Sequence, residues 1–199
     1  GAWSKKAIAE AKRFGDITVS VDAEKDGKFT SVPAADGFSV SAYAAYVHYT
    51  PNETIVGVEF PYIPDTGDVP LVADMSSTFL SRPIDVSRFG VIYAGAQKNI
   101  GPAGITMVIV RNDLAGRTLE GTPTMFDYQA HADSGSMLNT PPTFGWYLAG
   151  LVFRWLRGLG GLEAIETINR RKAAALFFPA EDGIRDRCPV RRDCRSLMN

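Results

Sequence analysis

The sequence predicts an α/β fold built around buried strands. Three short segments, residues 71–75, 91–95 and 105–110, are apolar at nearly every position, which is typical of strands covered on both faces of a sheet. Helical spacing of apolar residues occurs before and after them, at residues 4–14 and 143–156. Strands of this kind together with helices indicate a layered domain with a central sheet.

The N-terminal part of the chain predicts a helix followed by strands. Ser4 can cap this helix, with Ile8, Ala11 and Phe14 on one face and Gly15 at its end. The segments that follow are predicted as a strand at 17–21, a polar, turn-rich surface segment at 22–39, strands at 44–49 and 55–60, and a loop at 61–69. No internal repeat interrupts this pattern.

The last third of the chain predicts two consecutive helices. The first covers residues 143–156, and a run of glycines at 158–161 separates it from a second helix that begins at Leu162. One apolar face of the first helix is expected to be buried, and its residues are Leu148, Leu151, Val152, Trp155 and Leu159.

Charge, hydropathy and cysteine content exclude several classes of function. Lys and Arg total 21 against 22 Asp and Glu, which offers no basic surface for nucleic acid or an anionic membrane. No apolar run reaches the roughly 18 residues of a membrane-spanning helix, so a cytoplasmic protein is the expectation. Cys188 and Cys194 lie near the end of the chain, and His48 and His131 are far apart. We therefore expect no metal site in the main body.

Two predicted strand ends carry residues suited to catalysis. Asp74 ends one apolar run, and Lys98 follows another after a turn of small residues. Ligands of buried sheets gather at strand ends, and this pair suits a pyridoxal-phosphate site in which lysine forms an imine and aspartate keeps the pyridine nitrogen protonated. Taken singly, such a lysine is most often a solvated surface residue, and such an aspartate a turn former or helix cap.

The sequence around Asp74 and Lys98 gives a more specific prediction than these two residues do by themselves. The run ADMSSTFLSRPIDVSRFGVIYAGAQKNIGPAGITMVIVRNDL resembles the cofactor-lysine region of the phosphoserine aminotransferases, class V members of the fold-type I pyridoxal-phosphate enzymes. HYTPNETIVGVEF before it and GSMLNTPPTF after it resemble the same family in the same order. The resemblance covers about residues 1–177 and implies an incomplete large domain of fold type I, with a mixed, mostly parallel sheet between helices.

The resemblance implies a role for several residues around the cofactor. Lys98 would carry pyridoxal phosphate as a Schiff base, and Asp74 would bind the pyridine nitrogen. Trp3 matches the aromatic residue that stacks on the cofactor ring. Thr54 matches the hydroxyl that binds the phenolic oxygen, and Gln97 matches a phosphate ligand.

The resemblance also implies a homodimer. Asn139 and Thr140 match residues that reach the cofactor phosphate of the neighbouring subunit, although on sequence alone they are typical of an Asx turn before two prolines. His48 is assigned to packing. The pair of Arg82 and Asp85 around Pro83 is interpreted as a structural salt bridge.

The activity implied is transfer of an amino group from L-glutamate to 3-phosphohydroxypyruvate, giving 2-oxoglutarate and O-phospho-L-serine in serine biosynthesis. A related phosphorylated four-carbon keto acid on the way to pyridoxine is implied as a further substrate. One alternative is another class V enzyme, such as an alanine–glyoxylate aminotransferase or a cysteine desulfurase, although Gln97 stands where a desulfurase has histidine. A non-catalytic protein with the same fold is the other alternative.

The chain divides into a main body and a tail. Residues 1–178 are expected to form part of the cofactor-binding large domain, and residues 179–199, where charges lose any period, are expected to be non-native or frame-shifted. The family's substrate-binding arginines and its glycine-rich phosphate loop belong to segments that we expect to lie outside this chain. The chain alone is therefore expected to bind the cofactor weakly and to turn over no substrate.

Overall fold

A computed structural model of the chain describes residues 1–177. In chain order the elements are helix α1 (Ala2–Ala11), strands β1 (Val47–Tyr49), β2 (Asn52–Glu53), β3 (Val58–Glu59), β4 (Leu71–Asp74), β5 (Val91–Gly95) and β6 (Thr106–Val110), and helices α2 (Asn112–Ala115), α3 (Tyr128–Asp133), α4 (Thr143–Gly158) and α5 (Gly161–Phe177). Short 3-10 turns lie at Val86–Arg88 and Thr124–Phe126.

Four strands form one sheet in the order β1-β4-β5-β6. The pairs β1–β4 and β4–β5 are parallel, and β6 runs antiparallel to β5. Strands β2 and β3 form a separate antiparallel hairpin. The predicted α/β fold with a mixed, mostly parallel sheet is confirmed.

The two faces of the sheet are buried to different degrees. On one face the side chains are almost fully buried, and they are Val47, Tyr49, Leu71, Ala73, Ile92 and Ala94. Their alternate neighbours in β1, β4 and β5 are half-buried, and they include His48, Asp74 and Tyr93. The expectation that these strands are covered on both faces is therefore wrong for residues 1–177, because only one face packs against a full core.

Helix α4 buries a different face from the predicted one. Its buried residues are Gly145, Ala149 and Leu156, while Leu151 and Trp155 are exposed. Small residues decide this, since they allow the helix backbone to approach the loop after β5: a Cβ on Gly101 would lie 3.6 Å from Cα of Ala149. The apolar residues Phe144, Tyr147, Leu151 and Trp155 point away from the core as a row at helical spacing, which we call the outer stripe.

The N-terminal predictions were partly wrong. Helix α1 begins at Ala2, so Ser4 lies inside it and does not cap it, and Phe14 is 90% exposed beyond its end. Residues 17–21 form no strand in the structure, because no neighbouring segment supplies a ladder beyond single bonds such as Ser39 N to Ser20 O (3.1 Å). The segment 22–39 is irregular, as expected. The predicted strand at 55–60 is a turn followed by β3.

The loop between β4 and β5 carries an ion pair that the sequence interpretation placed wrongly. Arg82 pairs with Glu59 of β3 (2.5 Å) and donates to the carbonyl oxygen of Phe60. Asp85 instead accepts hydrogen bonds from the amide and hydroxyl of Ser87. The hairpin β2–β3 is thereby tied to the loop that leads into β5.

Two remaining expectations concern the chain as a whole. Over residues 1–177, no helix combines the length and the apolar character needed to cross a bilayer. The predicted boundary at residue 178 and the predicted foreign tail lie outside the residues that the structure describes, and they stay predictions.

Candidate active site

Three parallel strands end at the same edge of the sheet, and each leads to a predicted site residue. The chain passes from β1 toward Thr54, ends β4 at Asp74 and leaves β5 toward Lys98. The carboxyl edge of a parallel sheet is where ligand-binding groups collect in α/β proteins. The topology alone therefore brings these three residues to one edge.

Lys98 stands on a closed turn between β5 and β6. The amide of Gly101 donates to the carbonyl oxygen of Ala96 (2.8 Å), and the amide of Ala96 donates to that of Ile105 (2.9 Å). Ile100 is fully buried within this turn. The buried isoleucine anchors the backbone, while the side chain of Lys98 remains exposed.

The Lys98 amine lies close to a hydroxyl group and an aromatic ring. Its Nζ donates to Oγ1 of Thr54 at 2.9 Å and lies 5.4 Å from the centre of the Trp3 ring. The Nζ of Lys6 lies 4.6 Å from the centre of the same ring. Thr54 lies in the turn after β2, not in a strand. The structure thus brings together three predicted residues that are far apart in sequence.

Asp74 is held through one of its two carboxylate oxygens. Oδ1 accepts from the amide of Ser76 (3.0 Å) and from its hydroxyl (2.7 Å). The same hydroxyl accepts from the amide of Gly95 (3.0 Å), which joins the ends of β4 and β5. Among the residues that the structure describes, Oδ2 accepts no hydrogen bond, so this oxygen is available to a ligand.

A histidine and a tyrosine form a polar contact beside Asp74. Nε2 of His48 and the hydroxyl of Tyr93 lie 2.9 Å apart, and the two rings stack with centres 5.9 Å apart. Burial lowers the pKa of His48, and the charge of Asp74 opposes this shift. Burial, followed by the charge of Asp74, raises the pKa of Tyr93 to about 12. Both side chains are therefore uncharged at neutral pH.

The other predicted residues lie in two places. Gln97 folds back over Gly95, where a Cβ would lie 2.6 Å from Oε1 of Gln97. Asn139 and Thr140 are exposed in the segment before α4, and within residues 1–177 neither side chain is hydrogen-bonded to the Lys98 cluster. Their role in a neighbouring subunit stays a prediction. Over the same range, no three His, Cys, Asp or Glu side chains are grouped to hold a metal ion.

This arrangement corresponds to a known family. The family model described as aminotransferase class-V matches residues 1–178. The chain belongs to the class V aminotransferases. A phosphoserine aminotransferase of Hahella chejuensis (strain KCTC 2396) is 59% identical over 199 residues, which cover 100% of this chain and 55% of the relative. This class V chain thus spans about half the length of the curated relatives it matches.

Two solved structures share the fold of this class V chain. The phosphoserine aminotransferase from Bacillus circulans subsp. alkalophilus matches with a TM-score of 0.86 and 45% identity, over 89% of this chain and 49% of that one. A phosphoserine aminotransferase from Trichomonas vaginalis, solved with pyridoxal phosphate bound, has a TM-score of 0.81 and 41% identity, over 89% and 53%. The predicted resemblance and the fold type it implied are confirmed.

The sequence interpretation missed three polar residues that bind the predicted site residues or lie beside them. Ser76 holds Asp74, and its spacing of two residues, typical of an Asx turn, was the signal that could have revealed it. Glu53 binds the backbone of Trp3 and stands next to Thr54 in the quoted PNET motif. Tyr93 lies opposite Asp74 in the sheet. The position of Tyr93 opposite Asp74 depends on the register between β4 and β5, which cannot be predicted from the sequence alone.

Proposed function

We propose that this chain carries the cofactor-lysine part of a pyridoxal-phosphate-dependent aminotransferase, with Lys98 as the reactive amine. The observation that carries the proposal is the position of its Nζ, 2.9 Å from Oγ1 of Thr54 and 5.4 Å from the centre of the Trp3 ring. Membership of the class V family supports it, as does the bound cofactor of the Trichomonas vaginalis relative.

The functional groups of the side chains near Lys98 are suited to bind those of pyridoxal phosphate. When bound, the cofactor supplies a conjugated ring that withdraws electrons from the substrate's α-carbon. Lys98 would hold the aldehyde carbon, and Asp74 the ring nitrogen. Thr54 would bind the phenolic oxygen, Gln97 the phosphate, and the Trp3 ring one face. One observation supports this fit: Oδ2 of Asp74 accepts no hydrogen bond from residues 1–177, because the bonds from Ser76 both go to Oδ1.

Lys98 has two tasks in such a reaction. Its amine would hold the cofactor covalently through the aldehyde carbon. The free Nζ then acts as a general base that takes the proton from the substrate's α-carbon. Thr54 accepts a hydrogen bond from this amine and orients it. Asp74, which Ser76 orients, would keep a proton on the ring nitrogen of a bound cofactor.

The substrates in this proposal are L-glutamate and 3-phosphohydroxypyruvate, giving 2-oxoglutarate and O-phospho-L-serine. The name of the curated relatives supports this pair. We extend the proposal to the phosphorylated four-carbon keto acid of pyridoxine biosynthesis and to a cytoplasmic location. Phosphorylated substrates need fixed cationic groups, usually arginines. In the family these arginines, like the glycine-rich loop that binds the cofactor phosphate, lie outside the segments that residues 1–177 resemble, so we expect residues 1–177 by themselves to bind the cofactor weakly and to turn over no substrate.

The proposal includes a homodimer. The outer stripe of α4 exposes four large apolar side chains, and such contiguous exposed surface is typical of an interface. Asn139 and Thr140 lie immediately before this helix. A second copy packed on the stripe would lie close to these two residues, which is compatible with the role that the resemblance implies for them.

Covalent trapping tests the assignment of Lys98. The 199-residue chain is mixed with excess pyridoxal phosphate and reduced with borohydride, and the labelled lysines are located by peptide mass spectrometry. We expect preferential labelling of Lys98, and its loss in K98R with other lysines unchanged. Lys25, which lies in a surface turn, is the reference for non-selective labelling. Labelling of Lys98 no greater than that of Lys25 would contradict the proposal.

A chimera tests the substrates. Residues 1–177 replace the matching segment of the Hahella chejuensis relative, so that the rest of that relative supplies the segments that this chain does not match. We expect transfer from L-glutamate to 3-phosphohydroxypyruvate, and none in the K98R chimera. Faster transfer from alanine to glyoxylate would assign the chain to a different class V enzyme.

A further inference from the structure

Glu53 is a buried carboxylate at the N-terminus of helix α1. It lies in β2, directly before Thr54, and is 4% exposed. Its Oε2 accepts from the amide of Trp3 (3.0 Å), and its Oε1 accepts from the amide (2.9 Å) and hydroxyl (2.6 Å) of Ser4. The nitrogen of Gly1 lies 3.3 Å from Oε1. One side chain thus contacts three of the first four residues, Gly1, Trp3 and Ser4, which are about fifty positions away.

These bonds satisfy groups that the helix itself leaves unpaired. The first amides of any α-helix have no partner within the helix, and α1 receives no side-chain cap from its own N-cap residue, Gly1. A carboxylate at this end also interacts favourably with the helix dipole. Glu53 therefore replaces a local cap by one from another element, which ties the first turn of α1 to β2.

The surroundings of the carboxylate leave little room for another arrangement. A Cβ at position 1 would collide with the Cδ of Glu53, so a larger residue there would force the carboxylate to shift. Burial raises the pKa of Glu53, but the hydrogen bonds from Ser4 and Trp3 outweigh that effect, and the pKa lies below its ordinary value. Glu53 is therefore charged at neutral pH, and its bonds to the amides are charge-assisted.

The residues on either side of this contact are those around Lys98. Trp3, whose amide binds Glu53, presents its ring 5.4 Å from the Lys98 amine. Thr54, the next residue after Glu53, accepts the hydrogen bond from the same amine. A shift of Glu53 would move the ring and the hydroxyl relative to each other.

We propose that Glu53 is a positioning residue of the cofactor site, which sets the Trp3 ring and the Thr54 hydroxyl around the Lys98 amine. This inference rests on the proposed function and deepens it. Glu53 acts through Trp3 and Thr54 and not on the cofactor itself. Its loss should therefore disturb the environment of the Trp3 ring and the reactivity of Lys98 beyond any general loss of stability.

Two readouts in the full 199-residue chain test the role of Glu53. In a background with Trp146→Phe and Trp155→Phe, both exposed positions, Trp3 is the only remaining tryptophan of three. Its emission wavelength and acrylamide quenching, measured without cofactor, report how the ring is held. Borohydride trapping of pyridoxal phosphate at Lys98 reports the site as a whole.

The variants are E53A and E53Q, with E59A as the matched control. Glu59 lies on the partner strand of the same hairpin, where it pairs with Arg82 and accepts from Nδ2 of Asn52 (3.3 Å), but it contacts neither Trp3 nor Ser4 among the described residues. In E53A we expect stronger quenching of Trp3 and a drop in Lys98 labelling on the order of tenfold, as lost charge-assisted bonds permit. E53Q keeps one acceptor oxygen, so its Trp3 quenching and its Lys98 labelling should lie between those of E53A and those of the unsubstituted chain. E59A should lower the melting temperature without changing either readout.

The outcomes separate this inference from the function on which it rests. If E53Q and E53A match E59A in Trp3 quenching at equal fractions of folded chain, Glu53 has only a structural role and the inference is overturned. If the unsubstituted chain shows no selective labelling of Lys98, the proposed function fails instead. The Trp3 measurement needs no cofactor, so it decides the role of Glu53 in either case.

Discussion

At the scale of single residues, the orientation of Asp74 depends on one serine. Ser76 donates to Oδ1 through both its amide and its hydroxyl, and that hydroxyl accepts from Gly95. Alanine at position 76 removes one bond to Asp74 and leaves the amide of Gly95 without its acceptor. We expect S76A to lower the free energy of unfolding by about 1–2 kcal/mol, measured by urea denaturation.

Ser87 offers a matched control for this serine. It donates to Oδ1 of Asp85 through its amide (3.1 Å) and hydroxyl (2.6 Å) in the same local geometry, but on the surface. S87A should change the free energy of unfolding by less than about 0.5 kcal/mol. Equal losses in S76A and S87A would mean that the link from Ser76 to Gly95 contributes nothing.

His48 makes stability depend on pH. Because burial lowers its pKa below 6.5, the folded chain takes up the proton at a lower pH than the unfolded chain does. The stability associated with the neutral imidazole is therefore present above pH 6.5 and is lost as the pH falls through the lowered pKa. Urea unfolding at a series of pH values should show this decline, and H48Q should flatten it. An unchanged profile in H48Q would assign the decline to other groups.

At the scale of elements, helix α4 packs through its small residues. Ala149 is buried against Gly101, whereas a Cβ on the adjacent Gly150 would meet its nearest atom, on Arg154, at 3.8 Å. Ala149→Leu should destabilise the chain by about 1–3 kcal/mol through overpacking. Gly150→Ala should stabilise it by about 0.5–1 kcal/mol, because alanine has the higher helix propensity. Thermal unfolding measures both, and shifts of the same sign would contradict this account of α4.

At the scale of the whole molecule, the outer stripe of α4 predicts self-association. We expect sedimentation of the chain to show species heavier than the 21.6 kDa monomer as concentration rises. Trp155→Gln should shift this equilibrium toward monomer, because Trp155 is 55% exposed and its burial in an interface would be favourable. Leu176→Gln, at a 78% exposed position on α5, is the control and should leave the equilibrium unchanged. A monomer at every concentration would contradict the use of the stripe by a second copy.

The sequence by itself determined three of the four strands of the sheet and placed Asp74 and Lys98 at strand ends. Strands β4, β5 and β6 begin and end within one residue of the apolar runs that predicted them. A strand in a sheet core needs contiguous apolar residues, and that requirement is local. The dense motifs around Asp74 and Lys98 identified the family for the same reason, since each of them is a continuous stretch of chain.

Only the tertiary structure decided which surfaces meet. Helix α4 is apolar on more than one side, and the close approach of Ala149 to Gly101 selected the face that is buried. Residues 17–21 have the composition of a strand but no neighbouring strand, so no ladder forms. Glu53 reaches the first turn of α1 across fifty positions. Periodicity records how apolar residues recur along the chain, whereas packing depends on what distant segments place opposite them.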